Sequence, residues 1–314
     1  MITMGPLLAL LLAGEAVKEP PSCDLELVVL GAGQDAGAPQ LGNPSDDGPH
    51  LLPTSLGLID RDGRKRFLFE ATPAITQQVH ALDRVEPGRD DAPGGLGLDG
   101  VFLTHAHIGH YLGLAQFGVE SAGADGQRVF AMERMAQFLR RNGPWSQLVE
   151  LGNIEIIELV EGERARVSDT LTVEPMRMPH RDEFSETVGY LLTTPGKSAV
   201  FIPDLDSWEE WEEMSGDSLE ALVSRVDFAF VDATFFDDDE LPGRDMSAIP
   251  HPRVVHTMKR LSHLPEAERA KVHFIHYNHT NPIRDPGSAQ SLMVADKSFA
   301  IARRGDRHCL VEGG

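Results

Sequence analysis

With 314 residues, 41% of them hydrophobic and 25% charged, the chain can form one large domain or two ordinary ones and has the composition of a globular protein. Its 49 acidic against 28 basic side chains give a net charge of −21, a field that repels polyanions and makes nucleic acid a poor partner. The only cysteines, Cys23 and Cys309, lie near opposite ends with no Cys-x-x-Cys, which excludes a zinc knuckle and a thioredoxin-type motif; they either pair in an oxidising compartment or stay as buried thiols.

Residues 1–20 read as a leader. Pro6 to Ala13 is apolar, is followed by small residues and fits the core of a secretory signal, although no Lys or Arg precedes it; a misassigned start or a disordered tail is the alternative. On the export reading the protein is periplasmic or secreted, and otherwise cytoplasmic. The run is too short to span a membrane, and no second stretch approaches that length. Residues 24–314 show no internal repeat or linker and read as a single domain.

Leu25 to Leu30 reads as the first core strand, running into the glycine-rich turn Gly31 to Gln40. Leu56 to Asp60 and Arg66 to Glu70 read as strands joined at Asp62-Gly63. Thr72-Pro73 opens a helix with Ile75, Val79 and Leu82 on its core face. Val85 to Gly100, dense in Gly, Pro and Asp, is a loop. The apolar run Gly100 to Leu103 is a buried strand that leads straight into Thr104-His105-Ala106-His107-Ile108-Gly109-His110. A helix is predicted over Tyr111 to Ala122, a strand over Arg128 to Ala131 and a helix over Met132 to Arg141. Ile154 to Leu159, Leu171 to Met176, Val188 to Thr193 and Ser198 to Ile202 read as strands. Trp208 to Val223 is helical in pattern, Phe228 to Val231 and Val272 to Ile275 are strands, and Phe299 to Leu310 reads as a hairpin about Arg304-Gly305-Asp306. Many strands, interspersed helices and no regular strand–helix–strand repeat predict a four-layer α/β sandwich.

Imidazole is the commonest metal ligand at neutral pH, and His105, His107 and His110 are spaced to converge on one or two ions. His180, Asp204 and His276 each follow an apolar strand, where α/β proteins place functional residues. Together these six are the candidate metal ligands.

This set resembles the metallo-β-lactamase superfamily, in which a strand is followed by a His-x-His-x-Asp-His loop and later strand ends supply a His, an Asp and a final His. A closer likeness is to the pyrroloquinoline-quinone biosynthesis B proteins of that superfamily. It is carried by Gly31 to Gln40, Ala71 to Ile75, Pro179 to Gly189, Val231 to Glu240, Arg244 to Met246 and Phe274 to Pro282. The resemblance implies an αββα sandwich with metal between the sheets. It implies a first ion on His105, His107, His180 and Asp204, and a second on His110 and His276 sharing Asp204. Zinc is the expected metal, with iron or manganese as alternatives. The implied activity is a metal-dependent hydrolase, in which a metal-bound hydroxide attacks an ester, lactone, amide or phosphodiester of a small-molecule substrate. The alternatives are an iron-dependent oxidase or hydroxylase, as the quinone-pathway relatives imply, and a non-catalytic metal-binding homologue.

Three departures bear on this. Asn43-Pro44-Ser45-Asp46 lacks the structural-zinc cysteines of the quinone-pathway proteins. Met246-Ser247-Ala248 stands where those proteins have Met-Gly-His, with His251 as a possible stand-in. Gly109 occupies the place of the loop aspartate, so the second site is expected to be weak, empty or rescued; the candidates for rescue are Asp35, Asp182 and His279. If the geometry is otherwise intact, Gly109→Asp is expected to raise its occupancy. His279 is also the candidate proton donor, and Asp232 is read as bracing a loop rather than binding metal.

Overall fold

The structure, a computed structural model, describes residues 22–313, so the leader reading lies outside the described residues. Among them are two seven-stranded sheets. The strands in chain order are β1 (Cys23–Gly31), β2 (Ser55–Asp60), β3 (Lys65–Phe69), β4 (Gly100–Phe102), β5 (Gln127–Met132), β6 (Ile154–Leu159), β7 (Ala165–Arg166), β8 (Thr172–Met178), β9 (Thr187–Thr193), β10 (Ser198–Ile202), β11 (Phe228–Asp232), β12 (Val272–Ile275), β13 (Ala300–Ile301) and β14 (Arg307–Glu312). The first sheet runs β14-β1-β2-β3-β4-β5-β6 and the second β13-β12-β11-β10-β9-β8-β7.

The period-2 pattern of each strand explains the layering. On β1, Leu25, Leu27 and Val29 point into the cluster between the sheets, while Val28 and Leu30 face the outer helices. On β3, Phe67 and Phe69 turn inward and Leu68 outward. Phe69, Phe102 and Phe130 stack across β3, β4 and β5, and Tyr190 of β9 meets Phe69 and Phe102 from the opposite sheet. Helices Ile75–Val85, Glu133–Arg141 and Trp145–Glu150 cover the first sheet. Helices Trp208–Ser215, Leu219–Ser224, Val254–Arg260 and Ala289–Asp296 cover the second. This is the four-layer αββα sandwich expected.

Three local expectations are corrected. The helix predicted over Tyr111 to Ala122 begins at Ile108 and becomes a 3-10 turn at Leu112–Phe117. The His110 carbonyl accepts from the Ala71 amide at 2.8 Å and Gly113 donates to the Ala71 carbonyl, so tertiary bonds draw off groups that a longer α-helix would use. The helix predicted over Trp208 to Val223 breaks in two at Gly216, which adopts φ 71°, and Ser218 caps the second piece through the Ala221 amide. The terminal hairpin is not one. β13 pairs in parallel with β12, whereas β14 pairs antiparallel with β1, so the Arg304-Gly305-Asp306 turn carries the chain from one sheet to the other.

That crossing brings the chain ends together, and Cys23 and Cys309 form a disulfide across 286 residues with Cα atoms 5.7 Å apart. A bond closing so long a loop removes much of the freedom of the unfolded chain, worth about 2–4 kcal/mol. Reductant is therefore expected to lower the denaturation midpoint of the wild type to that of Cys23→Ser, and to leave the variant unmoved; a wild type indifferent to reductant contradicts this.

Candidate metal centre

The site follows from strand direction. β3 and β4 are parallel, as are β10, β11 and β12, so the carboxyl ends within each set share an edge. Those ends deliver Glu70, then His105 and His107, then Asp204, Asp232 and His276. β8 adds His180 from the same end of the second sheet.

The structure brings all six predicted ligands together. His107 Nδ1 lies 2.9 Å from His105 Nε2 and 3.2 Å from His180 Nε2. Asp204 Oδ2 is 3.4 Å from His105 Nε2 and 3.3 Å from His180 Nε2. His110 Nε2 and His276 Nε2 approach the same oxygen at 3.8 and 3.9 Å. Ligand atoms of His105, His107, His180 and Asp204 form one group within 4.8 Å, and those of His110, Asp204 and His276 form another.

Each ring is held by its outer nitrogen. His105 Nδ1 meets Thr104 Oγ1 at 2.9 Å, His180 Nδ1 meets Asp206 at 2.8 Å, and His110 Nδ1 meets Glu70 at 3.2 Å. His276 Nδ1 meets Thr234 Oγ1 and His107 Nε2 meets Glu183, both at 3.2 Å. With the outer nitrogens engaged, the inner ones converge on Asp204, and His110 Nε2, His276 Nε2 and Asp204 Oδ1 are buried without hydrogen-bond partners. Inward lone pairs on rings oriented by carboxylates and hydroxyls fit a divalent cation better than any arrangement of protons. His276, at φ 64°, takes a left-handed backbone to reach this position.

Burial, aided by the charge of His110, holds the His105 ring well below the ordinary histidine range. Burial also lowers His107 and takes His276 down to about 4. Burial opposes charge on His180 too, but bonds and charges from Asp204 and Asp206 outweigh it and push the ring up to about 10. Burial likewise works against ionised Asp204, yet the surrounding histidines hold its carboxyl well below the usual range.

The rescue candidates divide. Asp182 is on the surface, paired with Arg134 at 3.0 Å, and does not join the cluster. His279 turns Nδ1 to its neighbour Asn278 at 2.7 Å and belongs to neither group. Asp35 also belongs to neither group, but its backbone packs on the histidine loop: a Cβ on Gly109 would fall 2.5 Å from the Asp35 carbonyl oxygen and 2.7 Å from its Cα. The expectation for Gly109→Asp is corrected by the same contact, because backbone already fills that space.

Sequence reasoning did not single out Glu70, Asp206 or Glu183 as orienting groups. Glu70 ends the apolar run Phe67-Leu68-Phe69 and is fully buried, a signal the sequence carried. Asp232 braces as expected, accepting from the Leu205 and Thr234 amides, and it also holds His251 Nδ1 at 2.8 Å. His251 reaches Asp204 Oδ1 at 3.2 Å and lines a cavity of about 670 Å³ with Arg181, Asp206, Met246 and Arg253.

The family model described as the Beta-lactamase superfamily domain matches residues 65–277. The chain belongs to the metallo-β-lactamase superfamily. It is 28% identical over 314 residues to coenzyme PQQ synthesis protein B of Rhizobium meliloti, spanning 90% of this chain and 97% of that one. It is 26% identical over 272 residues to the namesake in Methylobacillus flagellatus, covering 79% and 84%. Among solved structures, zinc-bound PqqB from Methylobacterium extorquens matches with a TM-score of 0.71 at 18% identity, over 90% of this chain and 99% of that one. A diphosphatase from the PhnP family matches with a TM-score of 0.61 at 18% identity, over 90% and 96%. At such identities the structural matches speak for the fold.

The outer partners predict a test. Asp206→Ala, which removes only the group holding His180 Nδ1, is expected to weaken zinc binding roughly 10–100-fold with the thermal midpoint nearly unchanged, as titration against a competing chelator would show.

Proposed function

We propose that this protein is a metal-dependent hydrolase of a small-molecule ester, lactone, amide or phosphodiester, with its principal ion, zinc by preference, held by His105, His107, His180 and Asp204. The observation that carries the reading is the complete set of three inward ring nitrogens and one carboxylate, each ring fixed by an outer partner. An ion on three nitrogens and a carboxylate supplies Lewis acidity and an activated water. Hydrolase chemistry is supported by the superfamily and by neighbours of the same fold such as the PhnP-family diphosphatase.

The chain's own part is positioning and proton transfer. The cavity that borders the centre at Asp206 and His251 has the volume of a small-molecule site. His251, its Nδ1 held by Asp232, stands between that cavity and Asp204, and its Nε2 is left to protonate a departing group. It takes the role first read for His279. The Cys23–Cys309 disulfide supports an oxidising compartment, periplasmic or extracellular.

Metal analysis of the purified protein, with turnover of bis(p-nitrophenyl) phosphate, p-nitrophenyl acetate and a lactone in air and under nitrogen, tests the reading. Zinc with oxygen-independent hydrolysis is expected, and iron with oxygen consumption would establish the oxidase alternative instead. His105→Ala and His180→Ala are each expected to lose the principal ion, and unchanged stoichiometry refutes the assignment. His251→Ala is expected to keep the metal and lose roughly 10²–10⁴-fold in kcat.

A further inference from the structure

His251 is placed against its own backbone preference. It sits at φ 86°, a left-handed conformation that costs energy for a residue with a side chain and persists only where the surroundings enforce it. Its amide donates to the Asp206 carbonyl at 2.9 Å, and its Nδ1 meets Asp232 at 2.8 Å. Its carbonyl is taken by a third group, Arg253, whose Nη1 donates to it at 2.7 Å.

Arg253 is 4% exposed, and a guanidinium taken that far out of water must place its N–H groups. It carries five donors in a rigid planar fork, and the structure gives it five acceptors. Nη1 also reaches the Pro250 carbonyl at a longer 3.4 Å, Nη2 donates to the carbonyls of Met246 and Ile249, and Nε meets Asp238 at 3.0 Å. Four of these acceptors are carbonyls of the one segment 246–251, which forms a wall of the cavity of about 670 Å³. The regular structure of that segment is a single 3-10 turn, Met246–Ala248, so the fork supplies the bonds that a helix or sheet would. The fork is itself anchored. It lies over the Phe235 ring, 5.2 Å from the centroid, and the Val254 amide donates to the Phe235 carbonyl at 3.0 Å, just beyond the end of β11 that carries Asp232. Arg253 lines the cavity, but its donors are spent on the chain and none is left for a ligand.

We infer that Arg253 is a positioning residue: it gathers the 246–251 segment around one guanidinium and holds His251 in its left-handed backbone, with Nδ1 on Asp232 and Nε2 free. What the position is used for rests on the reading of His251 as proton donor; the positioning is measured separately. A lysine, a point charge on a flexible stem, does not span these acceptors.

The test reads the ring before it reads turnover. In the purified protein the His251 Nδ1 proton, buried against Asp232, is expected as a downfield proton resonance, assigned by its absence from His251→Gln. Arg253→Lys, which keeps a cation and loses the fork, is expected to lose that resonance while keeping its metal content and the corresponding signal of His110, held by Glu70. A His251 signal unmoved in Arg253→Lys overturns the inference, and so does its absence from the wild type. Loss of metal along with the signal marks a collapse of the centre and overturns it too. The wild type gives a reading that survives a variant failing to fold. A fork gripped by five acceptors shows separate, slowly exchanging Nη protons at Arg253, and one averaged Nη signal overturns the assignment. With bis(p-nitrophenyl) phosphate as the probe, Arg253→Lys is expected to lower kcat roughly 10-fold or more, and the double variant with His251→Ala to fall no lower than His251→Ala alone. Losses that add overturn the inference, because Arg253 then acts other than through His251. A displaced ring with kcat unchanged supports the positioning role and removes the proton-donor reading instead.

Discussion

Everything at this site depends on keeping one carboxylate charged in the interior. Asp204 is 3% exposed, and an isolated carboxylate buried to that degree costs several kcal/mol. The chain offsets the cost by turning His105, His110, His180 and His276 toward one Asp204 oxygen and His251 toward the other. That solution creates a second demand. Buried rings must be fixed, and so Glu70, Thr104, Asp206, Asp232 and Thr234 close around them. The surrounding carboxylates again need positive charge nearby. A divalent cation at the middle meets both demands, because it satisfies the inner lone pairs and balances the acid shell.

The sandwich makes this convergence possible. A carboxylate at the end of β10 meets histidines from β4, β8 and β12 only because the two sheets present their carboxyl ends to the same rim. The aromatic stack of Phe69, Phe102 and Phe130, closed from the other sheet by Tyr190, sets the spacing between the sheets behind that rim. Packing inside the layers and chemistry at their edge are thus one construction. A change of volume in the stack would be felt as a change in ring-to-ring distances at the site.

What the sequence disclosed follows the range of the forces involved. The six ligands were legible because imidazoles and a carboxylate next to buried strands have few other uses. The strands were legible because alternation is local. Glu70 and Asp206 were harder, since a carboxylate at a strand end is common and only the ring it holds gives it meaning. The tail was misread because a turn at Arg304-Gly305-Asp306 looks the same whether its flanks pair with each other or, as here, with β12 and β1 in different sheets. The short 3-10 turn after His110 was hidden for a similar reason, its hydrogen bonds being drawn off by Ala71, 39 residues earlier in the sequence.

Glycine at 109 changes what the second half of the centre relies on, because the Asp35 backbone fills the place a side chain there would need. In a loop of the superfamily's pattern, one short segment carries both the aspartate and a histidine of that half, so they move together. Here His276 has a different support: the Gln34 amide donates to the Tyr277 carbonyl, the Tyr277 amide donates to the Ala32 carbonyl, and Gly33 is registered against Tyr277. His110 stays on the histidine loop but is gripped by Glu70, and the Ala71 amide beside that glutamate binds the His110 carbonyl. The second half therefore draws His110, Asp204 and His276 from three chain segments, and the first draws His105 and His107 from the histidine loop with His180 and Asp204 from two strand ends. A disturbance of the glycine-rich turn at Gly31 to Gln40 reaches the second half through Tyr277, beside His276, and the histidine loop through Asp35, whose backbone packs on Gly109. The two halves meet at Asp204 and again along the histidine loop, where the His105 and His110 rings lie 4.2 Å apart and Glu70 grips both Thr104 and His110, so a change in either half is felt by the other.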